Sequence, residues 1–201
     1  MPLLAMIAAA MIAAALSSGF DTLYPLKIMV GMAALACFIP TYRSLPWSWS
    51  WLAAMNGVAV FAIWLGLEPF ANRDGTQLAS GLEQLPHTWA IAWLGIRAIG
   101  SIAAVPIAEE LAFRGYLMRR ISNADFDTIS YDQCSWIAVL ISSLLFGLLH
   151  GRWFAGTLAG LFYALATRRR NMLCDAVTAH SVTNGLIAIY VLLSGSWQLW
   201  S

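Results

Sequence analysis

Seven apolar runs, at about 3–19, 25–40, 51–67, 87–108, 134–150, 152–167 and 172–193, divide the chain and limit what it can become. Each approaches the roughly 20 helical residues that cross a hydrocarbon layer of about 30 Å. In water such segments leave too few polar side chains to cover them, since 60% of the 201 residues are hydrophobic and 10% are charged. The sequence therefore predicts an all-α, polytopic transmembrane helical bundle of about 7–8 helices, a single domain over residues 1–201 lying in a lipid bilayer. The runs at 25–40 and 152–167 are short, so they tilt little, re-enter or extend past these bounds; a partly embedded helix over 109–122 is the alternative that raises the count to eight.

The first run has no Lys or Arg ahead of it, unlike a signal peptide, and is read as a span. A net charge of +1, without a basic arm or acidic tail, gives no ground for a nucleic-acid partner. With seven spans, Arg43, Arg119, Arg120, Arg168, Arg169 and Arg170 fall on the amino-terminal side, against Lys27, Arg73 and Arg152 on the other; Arg97 and Arg114 lie inside segments and are not counted. That asymmetry favours a cytoplasmic amino terminus. Loops 68–86 and 121–133 carry most of the remaining acids and turn residues, and Cys37, Cys134 and Cys174, with no CxxC pair, are read as small buried hydrophobes. Oligomeric state has no signature in the chain.

The stretch "VPIAEELAFRGYLMRR", Val105 to Arg120, places two acids and an arginine in this apolar setting. One reading starts a juxtamembrane helix here, with Pro106 in its first turn, acids at its amino end and Glu110 paired i,i+4 to Arg114. The other runs one helix from about Trp93 to Ile121, kinked near Pro106, which puts Glu109 roughly 15 Å below Arg119 at 1.5 Å per residue. Adjacent helical residues point about 100° apart, so the two glutamates are not expected to face one pocket. With Glu110 neutralised by Arg114, Glu109 is left as an intramembrane carboxylate without a local partner, and such a group is functional by default.

Two further stretches carry polar groups to comparable depth. His150 follows Phe146 by four residues in "LLFGLLHGRWF", and His180 and Asn184 share a helix face in "DAVTAHSVTNGLIAIY". Counted along ideal helices, His180 lies roughly 15 Å and Asn184 roughly 21 Å from Arg170, while His150 lies roughly 24 Å from Cys134. Singly, each has a structural explanation: a hydrogen-bonded core histidine, a helix end beside Arg152, an interhelical asparagine. Together a carboxylate, two imidazoles and a carboxamide suit amide hydrolysis, with a base to deprotonate water and donors to hold an oxyanion.

"EELAFR", "FGLLH" and "HSVTN" are EExxxR, FxxxH and HxxxN motifs, in the order of the CAAX protease and bacteriocin-processing family. The chain resembles that family, whose eukaryotic members include the Ras-converting CAAX endopeptidase, over about residues 100–195; residues 1–90 match only as generic spans. The resemblance implies an intramembrane glutamic endopeptidase in which Glu109 and His150 activate water and His180 and Asn184 hold the oxyanion. It makes Glu110 and Arg114 supporting residues and Phe146 the packing residue behind His150. It further implies about eight helices, no bound metal or other cofactor, and a membrane-tethered protein or peptide substrate, lipidated or not, cut near its carboxyl terminus.

Two alternatives stand beside this. Glu109, His150 and His180 are a two-histidine, one-carboxylate set able to hold zinc, although the chain has no HExxH. A non-catalytic scaffold of bacteriocin-immunity type would use the same polar groups only to join helices. No GxSxG or GxGD is present, and Cys174, six residues before His180, points to another face of that helix, which argues against serine, aspartyl and thiol mechanisms.

Overall fold

Local signals set where the apolar runs begin and end as helices in a computed structural model, which describes residues 2–17, 20–70 and 74–200, Thr41 through its backbone alone. Arg73 of the charge count and Ser18 and Gly19 of the first run lie outside the described residues. The helices are α1 Pro2–Leu16, α2 Tyr24–Cys37, the short α3 Ile39–Arg43, α4 Trp51–Gly66 and α5 Thr76–Gln84. They continue with α6, which is unbroken from His87 to Ser122, then α7 Trp136–Leu148, α8 Trp153–Arg170 and α9 Leu173–Ser194. Ser50 Oγ accepts the Ala53 amide at the start of α4 and Ser135 Oγ the Ala138 amide at the start of α7. α8 stops at Asn171 and α9 at Gly195, both left-handed, with φ of 56° and 69°.

The fold is all-helical among the described residues, and α6 and α9 are long and apolar enough to cross a membrane. Large apolar side chains point outward on many helices, among them Met11 and Leu16 on α1, Met55 on α4, Ile137 and Leu140 on α7, and Leu193 on α9. Exposed tryptophans gather at both ends: Trp47, Trp49, Trp51 and Trp136 at one, Trp89 and Trp153 at the other.

Several expectations change. The helix considered over 109–122 is the second half of α6, so the chain runs through Pro106 and does not restart there. The loop expected at 68–86 contains α5, which Asp74 initiates by accepting the Thr76 amide at 2.9 Å and its hydroxyl at 2.7 Å; the pattern Leu78, Gly81, Leu82 buries one face. Cys37 is exposed, unlike Cys134 and Cys174, because it ends α2 on an outward face.

α6 accommodates Pro106 by changing its hydrogen-bond register. Two π-helical segments, Gly100–Ala104 and Leu111–Leu117, flank a normal stretch at Val105–Glu110. Val105 N–H donates five residues back to Gly100 O, and the next donor in that register would be Pro106, which has no N–H. The Ser101 carbonyl is therefore available to another partner.

Close contacts between small residues fix how the other helices turn. A Cβ on Gly57 would meet Ala179 O at 2.3 Å, so α4 and α9 touch backbone to backbone, and Thr183 Oγ1 donates to Gly57 O at 2.9 Å. That contact sets the rotation of α9, and with it where His180 points. A Cβ on Gly147 would lie 2.4 Å from Trp153 O and 2.5 Å from Thr157 N, so α7 and α8 are equally close. Beneath the polar set, Val60, Phe113, Phe146, Ala159, Tyr163, Ala176 and Ala179 form one buried cluster.

Candidate active site

Three elements deliver the polar side chains. α6 carries Glu109, Glu110 and Arg114, α9 carries His180 and Asn184, and His150 sits in the turn just after α7. His150 is thus not the last residue of a helix, and the mismatch in depth reckoned from the sequence disappears for that reason. The chain leaves the helix at Leu148, and the His150 ring folds back so that Nδ1 lies 2.8 Å from Phe146 O. A carbonyl only accepts, so that nitrogen carries the proton and Nε2 faces inward.

Glu110 and Arg114 are fully buried and paired, with Arg114 Nη1 3.1 Å from Glu110 Oε2. Arg114 Nη2 donates to Gly160 O at 2.7 Å, and its guanidinium lies 4.4 Å from the Phe146 ring centre. Gly160 admits this approach, since a Cβ there would stand 3.0 Å from Arg114 Nη2. The same carboxylate takes a second partner, His180 Nδ1, at 2.9 Å. A carboxylate held by Arg114 accepts, so His180 Nδ1 is the donor.

On the other side of the His180 ring, Nε2 lies 3.9 Å from Glu109 Oε2, and His150 Nε2 lies 3.8 Å from the same oxygen. As expected, the two glutamates do not face one pocket: Glu109 borders a groove, whereas Glu110 is fully buried against Arg114. They diverge around the helix, and the imidazole spans the divergence and presents one nitrogen to each. Glu109 Oε2 is buried and has no hydrogen bond among the described residues. Separations just under 4 Å are too long for direct hydrogen bonds, and each is short enough for one oxygen to bridge that pair of atoms.

A cavity of about 200 Å³ opens beside this point, bordered by His150, His180, Asn184, Ser101, Tyr163 and Trp64. Glu109 borders an adjoining groove of about 370 Å³ under α1, with Met6, Lys27, Val105 and Leu149; Val105 lines both hollows. Asn184 Nδ2 donates at 2.8 Å to Ser101 O, the carbonyl that Pro106 leaves available. One N–H of the carboxamide is thereby held, and the other remains for the cavity.

Phe146 lies at the centre of the packing, with ring centroids 4.5 Å from His150, 5.6 Å from His180 and 5.3 Å from Phe113. Tyr163 stacks on His180 at 4.7 Å and 18°. Tyr163, Ser101, Arg97 and Arg152 are site residues that the sequence reading missed. For Arg97 a signal was present, because the expense of an intramembrane charge applies to an arginine as to a glutamate. For Tyr163 the sequence offers only that it is the one tyrosine of the run 152–167. Among the described residues no group of three His, Cys, Asp or Glu has the arrangement of a metal site.

A family model described as type II CAAX prenyl endopeptidase, Rce1-like, matches residues 87–186. Comparison with curated proteins and with solved structures gives no match. The matched span runs from the first residue of α6 into α9 and contains all of Glu109, Glu110, Arg114, Phe146, His150, His180 and Asn184. With its three motifs inside that span, the chain belongs to the Rce1-like type II CAAX prenyl endopeptidase family, a membrane-embedded family of peptidases.

Proposed function

We propose that this chain is a multi-pass intramembrane endopeptidase that hydrolyses a peptide bond of a membrane-associated protein or peptide near its carboxyl terminus, with water activated by Glu109 and His150. The observation that carries the reading is Glu109 Oε2, 3.8 Å and 3.9 Å from the Nε2 atoms of His150 and His180, on three separate elements.

Water held there donates one proton to Glu109 and is oriented by His150 Nε2 as its oxygen attacks the carbonyl carbon. General-base assistance of this kind is worth roughly 10²–10⁴ in rate. The tetrahedral oxyanion is held by the second Asn184 N–H and by His180 Nε2–H. For this, His180 enters the step as an imidazolium, protonated on both nitrogens, and leaves it unchanged, with the Glu110 carboxylate 2.9 Å from Nδ1 facing its charge. Glu109 returns its proton to the departing amine as the C–N bond breaks. Arg114, 3.1 Å from Glu110, holds that carboxylate in place, Phe146 fixes both imidazoles, and no metal takes part.

A bilayer setting is supported by the outward apolar side chains and by tryptophans at both ends of the bundle, where interfacial aromatics belong. One helical domain with its amino terminus in the cytoplasm fits the basic residues. Pro2 borders the same groove as Arg119, at the end where Arg168 donates to Cys134 O and Arg170 to Ser48.

Carboxyl-terminal proteomics of membranes with and without active protein identifies the substrate, and lipidated and unlipidated forms of it then show whether a lipid is needed. Glu109→Gln and His150→Ala are expected to abolish cleavage while leaving the fold intact. Normal cleavage by the Glu109→Gln protein refutes the assignment and favours the scaffold alternative. Loss of activity on chelation, restored by zinc, would replace the metal-free mechanism with a zinc-dependent one.

A further inference from the structure

Two arginines line the cavity, and the hydrolytic step uses neither. Arg97 lies one helical turn before Ser101 on α6, and Arg152 follows His150 by two residues. The Arg97 guanidinium is enclosed by aromatic faces, 4.6 Å from the Tyr24 centroid, 5.3 Å from Trp93 and 5.4 Å from Trp200. It donates to Trp200 O and makes no ion pair among the described residues. Arg152 is buried, donates to Gln198 O at 3.1 Å, and lies 5.9 Å from Trp64, whose ring packs edge-on against His150 at 6.2 Å.

Both guanidiniums thus reach the backbone of one short turn, Trp197–Leu199 and its neighbour Trp200, at the edge of the cavity that holds His150 and Asn184. A positive charge kept where Arg97 is kept is costly unless a negative group comes to it. The two carbonyls mark where acceptor oxygens sit. A carboxylate offers a charged acceptor in place of neutral ones, and its geometry matches the planar guanidinium fork. Lys27, beside Glu109 in the adjoining groove, adds to the positive field.

We infer that Arg97 and Arg152 form the anion end of the substrate cleft and receive a carboxylate of the peptide being cut. This rests on the peptidase reading above. The carboxylate comes from either of two sources, the free carboxyl terminus or an acidic side chain close to the scissile bond. In the first case the arginines set how far from the chain end the enzyme cuts.

The test uses an acyl-anchored peptide pool with its last six positions randomised, prepared as free acids and as carboxyl-terminal amides, in detergent micelles. A third pool is amidated and carries Asp near the end. Cleavage is read by mass spectrometry, and binding by thermal shift of the Glu109→Gln protein. The wild type is expected to cut the acids about 10- to 100-fold more efficiently than the amides, the size of one charge-assisted hydrogen bond, through KM. Arg97→Gln and Arg152→Gln are each expected to bring that ratio below about threefold, and Arg97→Lys to restore part of it. Preference for the Asp-bearing amides instead assigns the subsite to a side chain. Equal cutting of all three pools by the wild type, or an unchanged ratio in both variants, overturns the inference. If no pool is cut, the peptidase reading fails, and the arginine assignment is decided by whether the acid pool still binds better than the amide pool.

Discussion

Removing Arg114 alone is expected to destabilise the protein more than removing it together with the charge of Glu110. Both side chains are fully buried and 3.1 Å apart, and the carboxylate keeps only His180 once the guanidinium is gone. An unpaired charge at a helix centre costs about 2.5–3.5 kcal/mol on translocon scales. The lost bond from the charged Arg114 to Gly160 O, at 2.7 Å, adds about 1.5–3 kcal/mol. Their sum overlaps the roughly 3–5 kcal/mol typical of breaking one side of a buried pair, which gives about 4–5 kcal/mol for Arg114→Met. In Glu110→Gln/Arg114→Met no charge is left stranded, and the carboxamide oxygen introduced in place of the carboxylate still accepts from His180 Nδ1. A double-mutant cycle, measured by steric trapping in bicelles, should therefore give a coupling of about 2–3 kcal/mol. A double variant no more stable than Arg114→Met, or a single variant that loses less than about 1 kcal/mol, refutes the account of this pair.

Asn184→Ala strands the Ser101 carbonyl and should cost about 1–3 kcal/mol, whereas in a Pro106→Ala background the backbone N–H that the substitution restores takes that carbonyl and the cost shrinks. Equal costs in the two backgrounds, by the same unfolding measurement, would show that the proline does not free the carbonyl. Gly147→Ala places a methyl 2.4 Å from Trp153 O and should cost about 1–3 kcal/mol while lowering turnover, because His150 moves with the end of α7; a thermal melt and a cleavage assay read both effects. The hydroxyl and amide of Thr76 hold the exposed Asp74 carboxyl below its ordinary range, so its cap on α5 is fully present above the unfolded Asp value and is lost as pH falls through the lower folded value. Hydrogen exchange at the first amides of α5, corrected for its intrinsic pH dependence, should show that protection decline in acid, and Asp74→Asn should flatten the dependence.

The sequence alone was enough for the helical class, the approximate extent of the runs that become α1, α2, α4, α6, α7, α8 and α9, and the polar residues worth following. Hydrophobic run length and the expense of burying charge are properties of single segments, readable without neighbours. Motif order likewise survives without coordinates, and the family match over 87–186 falls on the same residues. Tertiary structure decided the rest. Whether the chain restarts at Pro106 or runs through it depended on π-helical segments and on an asparagine from α9, 83 residues away, reaching Ser101 O. Helix-counting depths put His150 out of line, and only the break at Leu148, with the ring folded back onto Phe146 O, brought Nε2 to Glu109. The divergence of Glu109 and Glu110 was legible in the helix, but their meeting on opposite nitrogens of His180 was not, because an imidazole from another helix supplies the link. Arg97 and Arg152 became neighbours of the cavity for the same reason. Spacing along one helix fixes a direction, whereas a site is the place where directions from several helices cross, and those crossings were set by backbone contacts at Gly57, Gly147 and Gly160.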